Sequence, residues 1–239
     1  MITSRANETI KFVRSLKDKK NRDDNNVFIV ESIKLTLEAL NSGFTIKKLF
    51  VTEEVENEFS AYGVETVVVS LDVFKSISNE VSPQGVLAIV EKPSEKPFVK
   101  KNCLLLDGVS DPGNVGAIIR TAAATDFTEI FLINCADPFN SKSIRASMGG
   151  LFKVNLHTVN REDAIDKIGL PLVVADMYGE NIFNFRKNDF VCLVIGNEGN
   201  GVSDFIKSKA SYTVSIPMEN GMESLNASVS AGILMYLLK

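Results

Sequence analysis

The 239-residue sequence has one histidine, His157, and three cysteines, Cys103, Cys135 and Cys192. No Cys or His pair stands at ligand spacing, which argues against a bound metal. Three scattered cysteines make no disulfide framework. Each lies in or beside an apolar run, as buried reduced thiols do. No apolar run approaches the roughly 18 residues needed to span a bilayer, and residues 1–5 lack the apolar stretch of a secretory signal. Internal repeats and low-complexity tracts are also missing. These absences imply a globular, cytoplasmic protein with no membrane role.

Excess positive charge is missing too. Lys and Arg number 26 against 30 Asp and Glu, a net charge of −4, with a pI near 5.2. That counts against a simple nucleic-acid binder, which must neutralise phosphates, although a global sum can hide a local patch. Between residues 5 and 22 stand Arg5, Lys11, Arg14, Lys17, Lys19, Lys20 and Arg22, opposed by Glu8 and Asp18. Lys142, Arg145 and Lys153 form a second excess. Such runs are more often solvated helix faces. If RNA is bound, Arg5, Lys11, Arg14, Lys142 and Arg145 are the candidate contacts.

Hydrophobic residues make up 45% of the chain, enough for a core without covalent staples. The clearest seam is Glu91-Lys92-Pro93-Ser94-Glu95-Lys96-Pro97, polar and twice broken by proline. It divides the chain into an expected small α/β domain at 1–95 and a second domain at 96–239. In the first, 27–30, 48–51, 66–69 and 86–90 read as strands. Residues 32–40 read as a helix, and Ser70 can cap another carrying Val73, Phe74 and Ile77. In the second, short apolar runs at 103–106, 129–133, 172–175, 190–195 and 212–216 suit strands of a parallel sheet buried on both faces. Helical patterns at 115–124, 141–148, 162–168, 202–207 and 224–238 would cover it.

Polar residues cluster after three of these strands, where open α/β sheets bind ligands. The first cluster, Asp107 to Gly116, enters a helix near Asn114, which could cap it or face a ligand. Arg120 follows on a helix of small and apolar side chains, where a salt bridge to a nearby Asp is as good an explanation as a functional role. The second is Gly196-Asn197-Glu198-Gly199-Asn200-Gly201-Val202-Ser203. Its G-x-x-G-x-G spacing matches neither the dinucleotide nor the P-loop pattern, which weighs against a nucleotide-dependent reductase. A tight glycine turn would account for the glycines but has no need of Glu198. The third runs from Ile216 to Ser228, with a helix expected near Ser224. An N-cap by Ser224 would be the ordinary reading and would leave Asn226 without a task.

Together these segments resemble the three motifs of the SpoU/TrmH RNA 2′-O-ribose methyltransferases, of the SPOUT superfamily. The resemblance rests on Asn114-x-Gly116-x-x-x-Arg120-Thr121-Ala122, on the run from Ile195 to Ser203, and on Ile216-Pro217-Met218 with Ser224-Leu225-Asn226. Ser147-Met148-Gly149-Gly150-Leu151-Phe152 also looks like a family segment. In the first half, Phe28-Ile29-Val30-Glu31 and Ser82-Pro83-Gln84-Gly85 are similar to the family's substrate-binding domain. Ala227, often Val in the family, and Thr125-Asp126, where a glycine is frequent, depart from it.

The resemblance implies a C-terminal trefoil-knotted α/β domain with a parallel sheet, preceded by a small α/β RNA-binding domain. It implies S-adenosyl-L-methionine (SAM) as methyl donor, no metal, and a homodimer in which the apolar last helix (Leu225, Val229, Ile233, Tyr236, Leu237) could serve. Gly196, Asn197, Gly199, Gly201, Ile216, Met218 and Leu225 would hold the cofactor. Arg120 would be catalytic, with Asn114, Glu198, Ser224 and Asn226 orienting the groups. A guanidinium is rarely neutral, so phosphate binding and alkoxide stabilisation suit Arg120 better than a literal general base. Ribosomal RNA is the favoured substrate. Transfer RNA, or non-catalytic RNA binding on the same fold, is the alternative. His157 lies outside all three motifs and reads as an ordinary strand residue.

Overall fold

Four mixed strands carry one unit and six parallel strands the other, in a computed structural model that describes residues 1–187 and 189–239. The first unit comprises Met1–Ser94 and Phe139–Arg145, and the second Glu95–Pro138 and Ala146–Lys239.

In the first unit α1 (Glu8–Ser15) is capped by Asn7, and α2 (Lys19–Asp24) follows. Hydrophobic periodicity alone gave no bounds for either. Then come β1 (Val27–Glu31), α3 (Ile33–Leu40), β2 (Ile46–Val51), α4 (Glu56–Phe59), β3 (Thr66–Val68), α5 (Leu71–Ile77) and β4 (Val86–Glu91). The sheet order is β1-β4-β2-β3, with β4 antiparallel to both neighbours and β2 parallel to β3. Ser32 and Ser70 cap α3 and α5 through their hydroxyls, as the sequence suggested for Ser70. β1 is buried along its whole length. Val27 and Ile29 join Ile10, Val13, Phe74 and Ile77 in the core, and Phe28 packs against Phe44 and Phe139.

The second unit holds β5 (Cys103–Asp107), α6 (Pro112–Thr125), β6 (Glu129–Ile133), the last two residues of α7 (Ser141–Ser147), β7 (Asn155–Thr158), α8 (Arg161–Ile168), β8 (Leu172–Asn181), β9 (Cys192–Gly196), α9 (Asp204–Lys207), β10 (Tyr212–Ser215) and α10 (Ala227–Leu238). The strand order is β10-β8-β9-β5-β6-β7 and every pairing is parallel. β5 and β9 are buried throughout apart from the final glycine of β9. That pattern is what produced their uninterrupted apolar runs. One face packs Cys103, Leu105, Val194 and Cys192 against Ala164, Ile168 and Ile206. On the other, α10 packs against α6 and β9.

The chain builds outward from β5 to β7 and then returns to the far side through β8 and β9. β5 and β9 are therefore the neighbours at which the strand order reverses, and the crevice beyond their C-terminal ends is where such sheets take ligands. Asp107 and Gly196 stand side by side in register at that edge. His157 is the buried strand residue expected, stacked on Phe131 at 4.6 Å and 2.8 Å from Glu129.

Two helix starts differ from the sequence reading. α6 begins at Pro112, not near Asn114, because Asp111 is the cap, its carboxylate accepting from the Asn114 N–H at 2.9 Å. Proline at the first helical position suits that start. α10 begins at Ala227, not near Ser224, because Asn226 takes the cap and accepts from the Ser228 N–H at 2.9 Å. Among the described residues no helix is long and apolar enough to cross a membrane.

Candidate active site

The three loops after β5, β9 and β10 meet through one chain of side chains. Asn226 Nδ2 donates to Asn114 Oδ1 at 3.0 Å, and Asn114 Nδ2 donates to Glu198 Oε1 at 2.9 Å. Each amide is divided between two tasks. Asn226 spends its oxygen on the start of α10 and its nitrogen on Asn114. Asn114 accepts with its oxygen and donates with its nitrogen, so the relay has one consistent direction.

Glu198 is the terminus of that relay. Its carboxylate also accepts from the Ser110 N–H at 3.2 Å, the Ser110 hydroxyl at 3.1 Å and the Asp111 N–H at 3.3 Å. Partial burial would raise its pKa. The Asn114 amide and the backbone N–H groups outweigh burial and hold the carboxyl below its ordinary value. A carboxylate with so many donors is an anchor for the loop entering α6, and it has little capacity left to take a proton.

The loop carrying Glu198 is shaped by contact as well as by turn chemistry. Asn197 and Gly201 bridge each other, both N–H···O distances being 2.9 Å. Asn197 Nδ2 donates to Gly108 O at 2.8 Å, and its Oδ1 accepts from the Gly199 and Asn200 N–H groups. A Cβ on Gly196 would lie 2.2 Å from Gly201 C and Val202 N, so only glycine fits there.

Arg120 lies six residues beyond Asn114 on α6, about 9 Å along the axis. Its side chain is exposed and has no hydrogen-bond or ion-pair partner among the described residues, so the salt bridge weighed against a functional role is not made. Ser224 is likewise exposed and is not the cap of α10. Ile216, Met218 and Leu225 are half-buried. No cluster of His, Cys, Asp and Glu suited to a metal occurs among the described residues.

The candidate RNA contacts are mostly engaged within their own unit. Arg5 pairs with Asp72, and Lys11 with Glu8. Arg14 donates to Arg5 O and Ser76 Oγ, and Arg145 pairs with Glu80 at 2.9 Å. Lys142 is exposed. Arg22, counted in the same basic run, is buried and donates to the Leu16 and Lys17 carbonyls.

Sequence reasoning missed one group, Arg161, whose guanidinium meets the buried Asp107 at 2.8 Å. An arginine beside a helix cap carries no motif, and no sequence signal announced it.

Residues 101–236 match the SpoU rRNA Methylase family, and residues 7–88 match the MRM3-like substrate binding domain. The chain is 31% identical, over 247 aligned positions, to the 23S rRNA (guanosine(2553)-2′-O)-methyltransferase RlmP of Bacillus subtilis, covering 100% of this chain and 98% of that one. An AdoMet-bound rRNA methyltransferase from Sinorhizobium meliloti superposes with a TM-score of 0.91 at 30% identity, over 99% and 96% of the two chains. The SpoU methyltransferase AviRb of Streptomyces viridochromogenes, in complex with AdoMet, superposes at 0.89 with 26% identity over 97% of each. With more than half its length matched and its domain pair shared end to end, the chain belongs to the SpoU rRNA methylase family.

Proposed function

We propose that this protein transfers a methyl group from SAM to a ribose 2′-oxygen of ribosomal RNA. The observation that carries the reading is the Asn226–Asn114–Glu198 relay, which gathers the three polar loops at the strand-order reversal. Two relatives named as 23S rRNA 2′-O-methyltransferases support the substrate class.

SAM supplies an electrophilic methyl on a sulfonium, so positioning can provide much of the rate. The residues fit such a ligand. Backbone groups of the Gly196–Gly201 loop offer polar contacts, and half-buried Ile216, Met218 and Leu225 offer apolar surface for an adenosyl group. Asn197, Gly199 and Gly201 would shape that loop. Arg120 would bind a phosphate next to the target ribose and stabilise the oxyanion as the 2′-hydroxyl proton leaves to water. Asn114, Glu198 and Asn226 would set the loop from which α6 and Arg120 project, and Ser224 would face the ribose.

The same reading includes a trefoil knot at the C-terminal end, a cytoplasmic location and a homodimer. For the dimer, α10 buries Ala231, Leu234, Met235 and Leu238 but leaves Val229, Tyr236 and Leu237 exposed. That outer face suits a second copy of the chain. Sedimentation should give a dimer that Tyr236→Glu dissociates.

The deciding experiment incubates the protein with tritiated SAM and, separately, ribosomal and transfer RNA from a strain lacking the gene. Label in ribosomal RNA that resists alkaline cleavage is expected. Arg120→Ala should abolish it and leave SAM binding intact. Loss of both activities together would overturn the role of Arg120, and absence of SAM binding would overturn the whole reading.

A further inference from the structure

We propose that Arg161 is a positioning residue for the cofactor loop, acting through a buried ion pair with Asp107. The inference rests on the reading of this protein as a SAM-dependent methyltransferase.

Asp107 ends β5, and its side chain is 1% exposed. A carboxylate so buried needs charge and hydrogen-bond partners. Its Oδ1 accepts from Arg161 Nε at 3.1 Å and Nη2 at 2.8 Å, and its Oδ2 accepts from the Ser203 N–H at 2.9 Å. Arg161 Nε also lies 3.0 Å from Ser203 Oγ. Arg161 opens α8, and Ser203 precedes α9.

Ser203 is where the loop that starts at Gly196 ends. The beginning of that loop is already fixed, because Gly196 pairs in register with Asp107 and Asn197 bonds Gly108. Asp107 therefore stands at both ends of the segment proposed to hold SAM. The bond that fixes the far end, Ser203 N–H to Oδ2, depends on the carboxylate staying aimed inward. The Arg161 fork provides that on the other oxygen and reaches the Ser203 hydroxyl as well, which a lysine point charge cannot do in one geometry.

Without the guanidinium, Asp107 is a buried carboxylate that has lost its charge partner and must turn toward water. That turn loosens Ser203 and leaves the loop competent for only part of the time. Apparent cofactor affinity falls by that fraction. The chemical step in the bound complex should not change. Among the described residues Arg161 bonds Asp107 and Ser203, and none of Asn114, Arg120, Glu198 or Asn226.

The test compares wild type with Arg161→Met, Arg161→Lys and Ser203→Ala, measuring SAM affinity by calorimetry and the steady-state constants with ribosomal RNA. Arg161→Met should raise the Kd and KM for SAM by about tenfold or more, the worth of hydrogen bonds to a charged group, with kcat at saturating SAM unchanged. Arg161→Lys should recover part of the loss, and Ser203→Ala should show a smaller rise in KM. If Arg161→Met fails to fold, the other two variants decide, and an unchanged KM for SAM in both overturns the proposal. A fall in kcat with KM unchanged overturns it as well. Wild-type protein that binds no SAM would instead overturn the reading on which the proposal stands.

Discussion

A Cβ on Gly150 would lie 2.9 Å from the Cα of Arg120 and 3.2 Å from its backbone nitrogen. Gly150 opens a short 3-10 turn, Gly150–Lys153, that packs on α6. The atoms it would strike are backbone, which cannot swing aside as a side-chain tip can. Gly150→Ala should therefore shift α6 or the turn, at a cost of about 1–3 kcal/mol for overpacking. The expected result is a lower thermal midpoint and slower methyl transfer with unchanged SAM affinity. A variant with wild-type rate and melting behaviour would show that this contact does not set the position of Arg120.

Glu198 gives the site a definite acid-side behaviour. Its folded-state pKa lies below its ordinary value, because hydrogen bonds from Asn114, Ser110 and Asp111 outweigh burial. A depressed carboxyl contributes stability that is present in full above the unfolded pKa and is lost as pH falls through the folded one. The melting temperature should owe Glu198 the same increment from about pH 8 down to about pH 5, and lose it below the ordinary carboxylate range. Other carboxylates titrate there as well, so the informative quantity is the difference between wild type and Glu198→Gln. That difference should shrink as the medium is acidified. Parallel curves down to about pH 3 would mean the charge does not hold the loop.

The strands at the centre of the second sheet were readable because burial on both faces leaves only apolar residues, as in Leu104, Leu105 and Leu106 of β5. The same reasoning stopped β8 at Ala175. Its outer part, Asp176 to Asn181, mixes polar residues with exposed Met177 and Tyr178, and it pairs with β10 through Glu180 and Asn181. β7 is a short edge strand of four residues in which only His157 is buried and Thr158 is exposed, and it carries no period of its own. In the site, Asn114, Glu198 and Asn226 were legible as motif residues. Their order in the relay was not, since it joins positions 84 and 112 residues apart. Arg161 and Asp107, 54 residues apart, left no trace in composition or spacing at all.

The thiols offer a test of the interior. Burial pushes the Cys135 thiol up to about 11. Cys192 is raised well above its ordinary value, by burial first and by its neighbour Cys103, which faces it across β5 and β9. Both of those residues are fully buried and all three cysteines are free. A thiolate is the reactive species, so native protein near pH 8 should resist alkylation, whereas urea-unfolded protein should label at all three positions. Rapid native labelling at Cys103 or Cys192 would contradict the closed core between those strands.

Asp126 ends α6 in the left-handed conformation, with φ of 64° and ψ of 19°. Its position explains why a glycine there is a natural alternative. Left-handed backbone strains any residue with a Cβ, although aspartate tolerates it better than most. The Asp126 side chain does make an ion pair with Lys101 at 2.9 Å, but it is 77% exposed. An exposed pair of this kind contributes little, so the backbone term should win. Asp126→Gly is expected to stabilise the protein by about 0.5–1 kcal/mol, because the gain from relieving φ exceeds the entropy cost of glycine in the unfolded chain. Chemical denaturation of the two proteins measures the difference directly. A loss of stability would show that the Lys101 pair, and not the backbone, decides this helix end.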